Sequence, residues 1–201
     1  MSAQRLPTIT EAEYLQQERQ AEVKSEYHAG RIYAMAGAST EHTTITFNVI
    51  VAIGLQLRGK SCRGLSNDMR IKAPDSRFYT YPDLSVACGE LILEDEHGDT
   101  LLNPTLLVEV LSPSTERYDR GAKFAHYQRI ESLKEYVLIS QDRPRVEHYV
   151  KQADGSWNYT AADGLAESIN LPSIECSLDL SAVYENVEFA VEAMTPMEET
   201  A

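Results

Sequence analysis

Long apolar segments are missing from this sequence of 201 residues. No segment approaches the roughly eighteen consecutive apolar residues that a membrane-spanning helix needs. The N-terminal stretch MSAQRLPTIT also has no apolar run of the kind found in secretory signals. We therefore expect a protein that is not inserted in a membrane, and the default compartment is the cytoplasm.

Cysteine and histidine patterns that bind metals are absent too. Cys62, Cys88 and Cys176 are widely spaced and form no CxxC pair, so the sequence suggests neither a disulfide framework nor a zinc site. We expect the three cysteines to be reduced and mostly buried. The five histidines show no HxxxH or HExxH spacing, which disfavours a histidine zinc enzyme. The segment SPST has no GxSxG motif, so we interpret its hydroxyls as helix caps and turn formers.

Basic residues are scarce. The chain has 18 Lys and Arg against 31 Asp and Glu, a formal net charge of −13. Such a total weakens non-specific attraction to nucleic acid and counts against a DNA partner without excluding one. Two segments, LRGKSCRG and RYDRGAKFAHYQR, are locally basic, so the sequence permits a small basic cleft on an acidic body.

The length and the 43% hydrophobic content predict a single domain over residues 1–201. We place its core at about 24–152 and expect a disordered tail at about 190–201. Thr10 and Glu13 form a capping-box signal for a helix through about Glu22, and SEYHAGRIYAMAG is typical of a hairpin. A second helix is predicted from Ser39 or Thr40 to Gly59.

Short apolar strands and one more helix follow. The strands are predicted at NDMRIKA, PDLSVAC, TLLVEVL, EYVLIS and RVEHYV, with a helix after SPST and a further hairpin and short final element after Gln152. This order predicts a mixed α/β or α+β domain with a central sheet covered on at least one face.

One carboxylate interrupts the apolar strand TLLVEVL. Alternation along a strand places Glu109 with Leu107 and Leu111 on one face, while Leu106, Val108 and Val110 take the other. An isolated ionised carboxylate in such a setting costs several kcal/mol unless it is paired, hydrogen-bonded or coordinated to a cation. We therefore look for a nearby cation that offsets this cost.

Asp83 opens the strand LSVA directly after Pro82, and pairing of the two strands would bring it close to Glu109. Adjacent carboxylates repel unless one takes up a proton or a divalent cation neutralises both. Two carboxylates with a backbone carbonyl, which we place at Val110, form an oxygen set that Mg²⁺ accepts beside a phosphate. Lys123, a short distance further along, is the candidate for the ammonium that steadies attacking water or developing charge, and Arg117 and Arg120 lie on the same approach.

Plainer interpretations remain open for each residue. Glu109 could pair with a structural Arg or cap a turn, and Asp83 could simply form a turn. Lys123 could be an ordinary exposed lysine and Glu26 a solvated acid beside a hairpin. We interpret His42 as a capping or surface residue, and we expect Asp68 to pair with Arg70 or another surface base.

The segments YPDLSVAC, LLVEVLSPST, DRGAKFAHY and KEYVLIS resemble the Uma-type "putative restriction endonuclease" family of the PD-(D/E)XK nuclease superfamily. The resemblance runs from about Tyr27 to Tyr149. It implies a restriction-endonuclease-like core, a mixed central sheet flanked by helices, with Mg²⁺ or Mn²⁺ held by Asp83 and Glu109. It also implies a third acid at Glu26, DNA as the partner, and a homodimer.

The sequence departs from the superfamily at one position. The superfamily lysine normally stands two residues after the second acid, where this chain has Leu111. The Uma-type pattern implies that Lys123, from the following helix, replaces it. Two hypotheses result: an endonuclease that cuts DNA by Mg²⁺-assisted water attack, or a binding or assembly module that keeps the nuclease core with little or no turnover.

Overall fold

The computed structural model describes residues 8–74 and 77–189. Within these ranges the helices are α1 (Glu11–Glu18), α2 (Thr40–Gln56), α3 (Glu116–Tyr118), α4 (Phe124–Tyr127) and α5 (Leu180–Val183), with a π-helical turn at Asp119–Lys123 between α3 and α4. The strands are β1 (Ser25–His28), β2 (Arg31–Ala34), β3 (Cys62–Ser66), β4 (Arg70–Ala73), β5 (Phe78–Thr80), β6 (Leu84–Cys88), β7 (Thr100–Leu101), β8 (Leu106–Leu111), β9 (Glu135–Ser140), β10 (Arg145–Lys151), β11 (Trp157–Asp163), β12 (Ser168–Leu171) and β13 (Cys176–Asp179).

These strands form two mixed sheets and a hairpin. The larger sheet has the order β11-β10-β9-β8-β6-β3, and the smaller one has the order β2-β1-β5-β4-β7. Strands β8 and β9 run parallel, whereas β6 and β8 run antiparallel. The segment 81–83 connects β5 of the smaller sheet to β6 of the larger one. The mixed α+β architecture predicted from the sequence is confirmed.

Both faces of the larger sheet are covered, and β8 lies at its centre with all six residues buried. Leu106, Val108 and Val110 pack against α2, α5 and the β12–β13 hairpin. Leu107 and Leu111 instead pack against the smaller sheet and α4. The alternation predicted for this strand is therefore confirmed, and it places Glu109 on the face that meets the smaller sheet.

Several predicted boundaries shift. The capping box of Thr10 and Glu13 is present, but α1 ends at Glu18 rather than near Glu22. Ser39 caps α2 by accepting a hydrogen bond from the His42 backbone amide at 3.1 Å. That helix ends at Gln56, before the predicted stop at Gly59, which instead takes a positive φ in the turn that follows.

The helix predicted after SPST is broken into three short pieces around the π-helical turn. Ser112 hydrogen-bonds Ser114 and Thr115 through its hydroxyl, as expected of turn formers. After Gln152, β11 joins the larger sheet beside β10, and only β12 and β13 form a separate hairpin.

The prediction of three reduced cysteines is wrong. Cys62 and Cys88 face each other in the antiparallel register of β3 and β6 and are joined by a disulfide bond, and both are half-buried. Cys176 is buried with a free thiol, as predicted. The register that brings Cys62 and Cys88 together depends on long-range strand pairing, so spacing along the chain does not reveal it.

None of the helices in the described part of the chain has the length and apolar character needed to cross a membrane. The tail expected at about 190–201 lies outside the described residues.

Candidate active site

The interrupting carboxylate, Glu109, lies in the interior between the two sheets. Its side chain is only 6% exposed. The hydroxyl of Tyr127, on α4, donates a hydrogen bond of 2.7 Å to Glu109 Oε1. The Glu109 Oε1 atom is therefore held by a hydroxyl from α4.

The cation that accompanies Glu109 is Lys123, which ends the π-helical turn. Its ammonium Nζ lies 2.9 Å from Glu109 Oε1, 3.1 Å from Glu26 Oε1 and 3.5 Å from Asp119 Oδ1. Asp119 begins the same turn, so this short irregular segment supplies two charged groups to the interior. Turns of this kind occur often at functional sites because they redirect side chains locally.

Glu26 reaches the same cluster from the smaller sheet. It lies on β1, beside β5 in the antiparallel register, and its carboxylate accepts a hydrogen bond from the hydroxyl of Thr80. The contact of Lys123 with both Glu26 and Glu109 links the two sheets through one buried charge. The structure thus brings together three of the four predicted catalytic residues by direct contact.

Asp83, the fourth, lies at the junction between β5 and β6. The register pairs Leu84 with Val108, so its continuation by one residue sets Asp83 opposite Glu109. Asp83 Oδ2 accepts the Val110 backbone amide at 2.7 Å, and Oδ1 lies 3.1 Å from His42 Nε2. Two contacts therefore fix the orientation of this carboxylate beside β8.

The electrostatics of the cluster favour additional positive charge. Burial raises the pKa of Glu109 well above its usual range, Lys123 opposes that shift, and the negative Asp119 and Asp83 add to it. Burial also raises the pKa of Asp119. Burial alone would lower the pKa of Lys123, but Glu109, Glu26 and Asp119 outweigh it and raise that pKa well above its usual range. The Lys123 ammonium is thus the shared cation of Glu109, Glu26 and Asp119.

Protein side chains supply only some of the ligands that a divalent cation needs at this site. Within residues 8–74 and 77–189, no three His, Cys, Asp or Glu side chains are placed so that they could hold a metal ion together. Asp83 and Glu109 supply two carboxylates, and Mg²⁺ commonly completes such a pair with backbone oxygen, water and phosphate. The chemistry of the donors therefore suits Mg²⁺ bound together with a substrate.

Sequence reasoning missed three contributors to the cluster. Asp119 is buried and contacts Lys123, and Tyr127 orients Glu109. His42 was interpreted as a capping or surface residue: its backbone amide does donate to the Ser39 cap, but its half-buried imidazole contacts Asp83. One signal for Asp119 and Tyr127 was available in the sequence, since they stand four residues before and after Lys123. No such signal exists for His42.

The flanking residues have ordinary partners. Asp68 pairs with Lys24 at 2.5 Å, so the expectation of a surface base as its partner is confirmed, although that base is not Arg70. Arg120 pairs with Glu147 at 2.9 Å. Arg117 is exposed and has no ion pair among the described residues.

The described residues form a mixed α+β fold with a cluster of acids and a lysine between its two sheets, and this fold matches a solved structure. A crystal structure described as a putative nuclease belonging to DUF820, from Anabaena variabilis ATCC 29413, superposes with a TM-score of 0.71 at 22% identity, covering 88% of this chain and 97% of that one. The chain belongs to the Uma2 family, described as "Putative restriction endonuclease", whose match covers residues 11–182.

Two cyanobacterial proteins are also similar over most of their length. The uncharacterized protein slr1290 of Synechocystis sp. (strain ATCC 27184 / PCC 6803 / Kazusa) is 37% identical over 186 residues, which cover 91% of this chain and 95% of that protein. The uncharacterized protein sll1609 of the same strain is 40% identical over 156 residues, which cover 78% and 88% respectively.

Proposed function

We propose that this protein is a metal-dependent endonuclease that hydrolyses DNA phosphodiester bonds. The observation that carries the proposal is the contact of Lys123 Nζ with Glu109 Oε1 at 2.9 Å. It supports the idea that a lysine from the following helix replaces the one missing at Leu111. Family membership supports the same reaction class.

Each residue of the cluster would have its own role in phosphodiester hydrolysis. Asp83, Glu109 and the carbonyl of Val110 would hold Mg²⁺ or Mn²⁺, which when bound neutralises phosphate charge and lowers the pKa of water. Lys123, already beside Glu109, would orient the attacking water and stabilise the charge that develops on phosphorus oxygens. The water oxygen forms a bond to phosphorus and loses a proton to solvent, while the bond to the leaving sugar oxygen breaks and that oxygen takes up a proton from solvent.

The remaining contacts would keep these groups in place. Tyr127 fixes one oxygen of Glu109, and Glu26 with Asp119 holds the Lys123 ammonium inside the protein. Such preorganisation is useful because charged groups that are already oriented need no rearrangement when charge develops in the transition state. Arg117, exposed and without an ion pair among the described residues, is available for contact with a phosphate backbone.

The proposal is tested by plasmid nicking. Purified protein is incubated with supercoiled plasmid, linear duplex and single-stranded DNA across Mg²⁺ and Mn²⁺ concentrations, beside Asp83→Asn and an exposed control, Asp142→Asn. We expect metal-dependent nicking that Asp83→Asn lowers by about 100-fold or more and Asp142→Asn leaves unchanged. Nicking that persists in a chelator, or in Asp83→Asn, would contradict the proposal. Metal binding without cleavage of any of the three substrates would favour the binding module.

A second experiment concerns His42, which we propose positions Asp83. His42→Ala should weaken Mn²⁺ binding, measured by calorimetry, by about 10-fold or more, because groups that orient metal ligands typically have effects of this size. His42→Gln retains an N–H donor and should recover part of the loss. The exposed His97→Ala serves as the control and should bind Mn²⁺ like the wild type. Equal affinity in all four proteins would show that the contact with Asp83 has no bearing on the metal.

A further inference from the structure

Helix α2 presents an apolar stripe to solvent. Ile45, Val49 and Ile53 face the core, whereas Phe47, Val51 and Leu55 lie on the opposite side and are 66%, 41% and 54% exposed. Spacing of four residues aligns the exposed three along one face. A helix that is apolar on both faces is ordinarily covered on both.

A groove lies directly beside this stripe. It has a volume of about 490 Å³ and lies between α2 and the edge strand β3. It is lined by Ile50 and Gly54 of the helix and by Leu57 and Arg58 directly after it. A side chain at Gly54 would meet no other atom within 4 Å, so the helix surface is open at that position. The stripe therefore combines a projecting ring, Phe47, with a cavity one to two turns away.

Phe47 and the groove at Gly54 lie on either side of Val51 along α2, and this arrangement is self-complementary. If two α2 helices pack antiparallel about a two-fold axis at Val51, Phe47 of each copy meets Gly54 and Leu55 of the other. A two-fold interface needs this property, because the same patch must fit itself. Small residues at such positions allow helices to approach closely.

Charge supports the same arrangement. Arg58 near the end of α2 and Glu41 near its start have no ion pair among the described residues, and antiparallel packing moves each toward the other in the second copy. The stripe and groove residues named here include no acid. A chain of net charge −13 would otherwise repel its own copy, so a patch without acids is a favourable place for self-association.

We propose that this surface, the stripe Phe47, Val51 and Leu55 with the groove at Gly54, is the interface between two copies of this chain. The proposal does not depend on nuclease activity. Residues 190–201 or a different protein are the other candidates to cover the stripe, and the experiment separates them from a second copy.

The test measures the oligomeric state of the full chain by light scattering and sedimentation at micromolar concentration. We expect a dimer for the wild type, and for Phe47→Asp a dissociation constant that is higher by about 30-fold or more, as for a central interface residue. The matched control is Leu165→Asp, since Leu165 is also an exposed apolar residue, at 50%. That variant should remain dimeric. Far-UV circular dichroism confirms that each variant is folded.

A cysteine variant tests the geometry. Val51→Cys should form a disulfide-linked dimer on mild oxidation, because the two-fold axis places the two Val51 positions together, whereas Leu165→Cys should not. The natural cysteines do not interfere, since Cys62 and Cys88 are bonded to each other and Cys176 is buried. A monomeric wild type would overturn the proposal. So would a dimer that Phe47→Asp leaves intact and that Val51→Cys does not cross-link.

Discussion

Lys123→Met is expected to destabilise the protein by about 3–5 kcal/mol and to abolish DNA cleavage. The lysine is buried and contacts the buried Glu109 and Asp119 and the half-buried Glu26, so its removal leaves these acids without their shared cation. Breaking a buried ion cluster by removal of one partner is costly because an uncompensated charge remains inside the protein. Met keeps most of the side-chain volume, so loss of packing contributes little to the effect.

Chemical denaturation in metal-free buffer measures this loss, with Lys134→Met as the control. Lys134 is exposed and its side chain makes no ion pair among residues 8–74 and 77–189, so its substitution should change the free energy of unfolding by less than about 0.5 kcal/mol. The double variant Lys123→Met with Glu109→Gln should recover part of the stability, because one of the acids that lost its cation is then replaced by a neutral amide. If Lys123→Met is as stable as the wild type, Lys123 does not neutralise these acids in solution.

The sequence was most informative where local periodicity decides structure. The alternation of TLLVEVL predicted both faces of β8, and the strands on either side of the SPST segment were predicted from apolar runs and turn residues. Asp83 and Glu109 could be placed together on the condition that their two consecutive strands pair, and β6 and β8 do pair. Lys123 was a candidate because it follows Glu109 closely in the chain, and the resemblance added Glu26 and the interpretation of Lys123 as the replacement lysine.

Features that depend on long-range geometry were missed. His42, in the first turn of α2, contacts Asp83 at the junction between β5 and β6, and a lone histidine in a helix gives no indication of such a contact. The disulfide between Cys62 and Cys88 requires β3 to pair with β6 in one particular register. Asp119 enters the interior because of a π-helical turn, which no propensity of its residues predicts.

Glu109→Gln should lose activity, as Lys123→Met does, but unlike that variant it should not lose stability. Gln has nearly the same shape and its oxygen can accept the hydrogen bond from Tyr127. The charge that burial disfavours is removed, while Lys123 keeps Glu26 and Asp119 as partners. In metal-free buffer the variant should therefore unfold at the same temperature as the wild type or higher.

The wild type and Glu109→Gln should also differ in their response to metal. Mg²⁺ or Mn²⁺ should raise the unfolding temperature of the wild type, because a ligand that binds only the folded state stabilises it, and should have little effect on Glu109→Gln. Nicking by the variant should fall by about 100-fold or more, since several kcal/mol of transition-state stabilisation depend on the bound cation. Glu167→Gln, at an exposed acid, is the control for both measurements. If Glu109→Gln is less stable than the wild type without metal yet still cuts DNA, then Glu109 is held for the sake of the fold and the metal lies elsewhere.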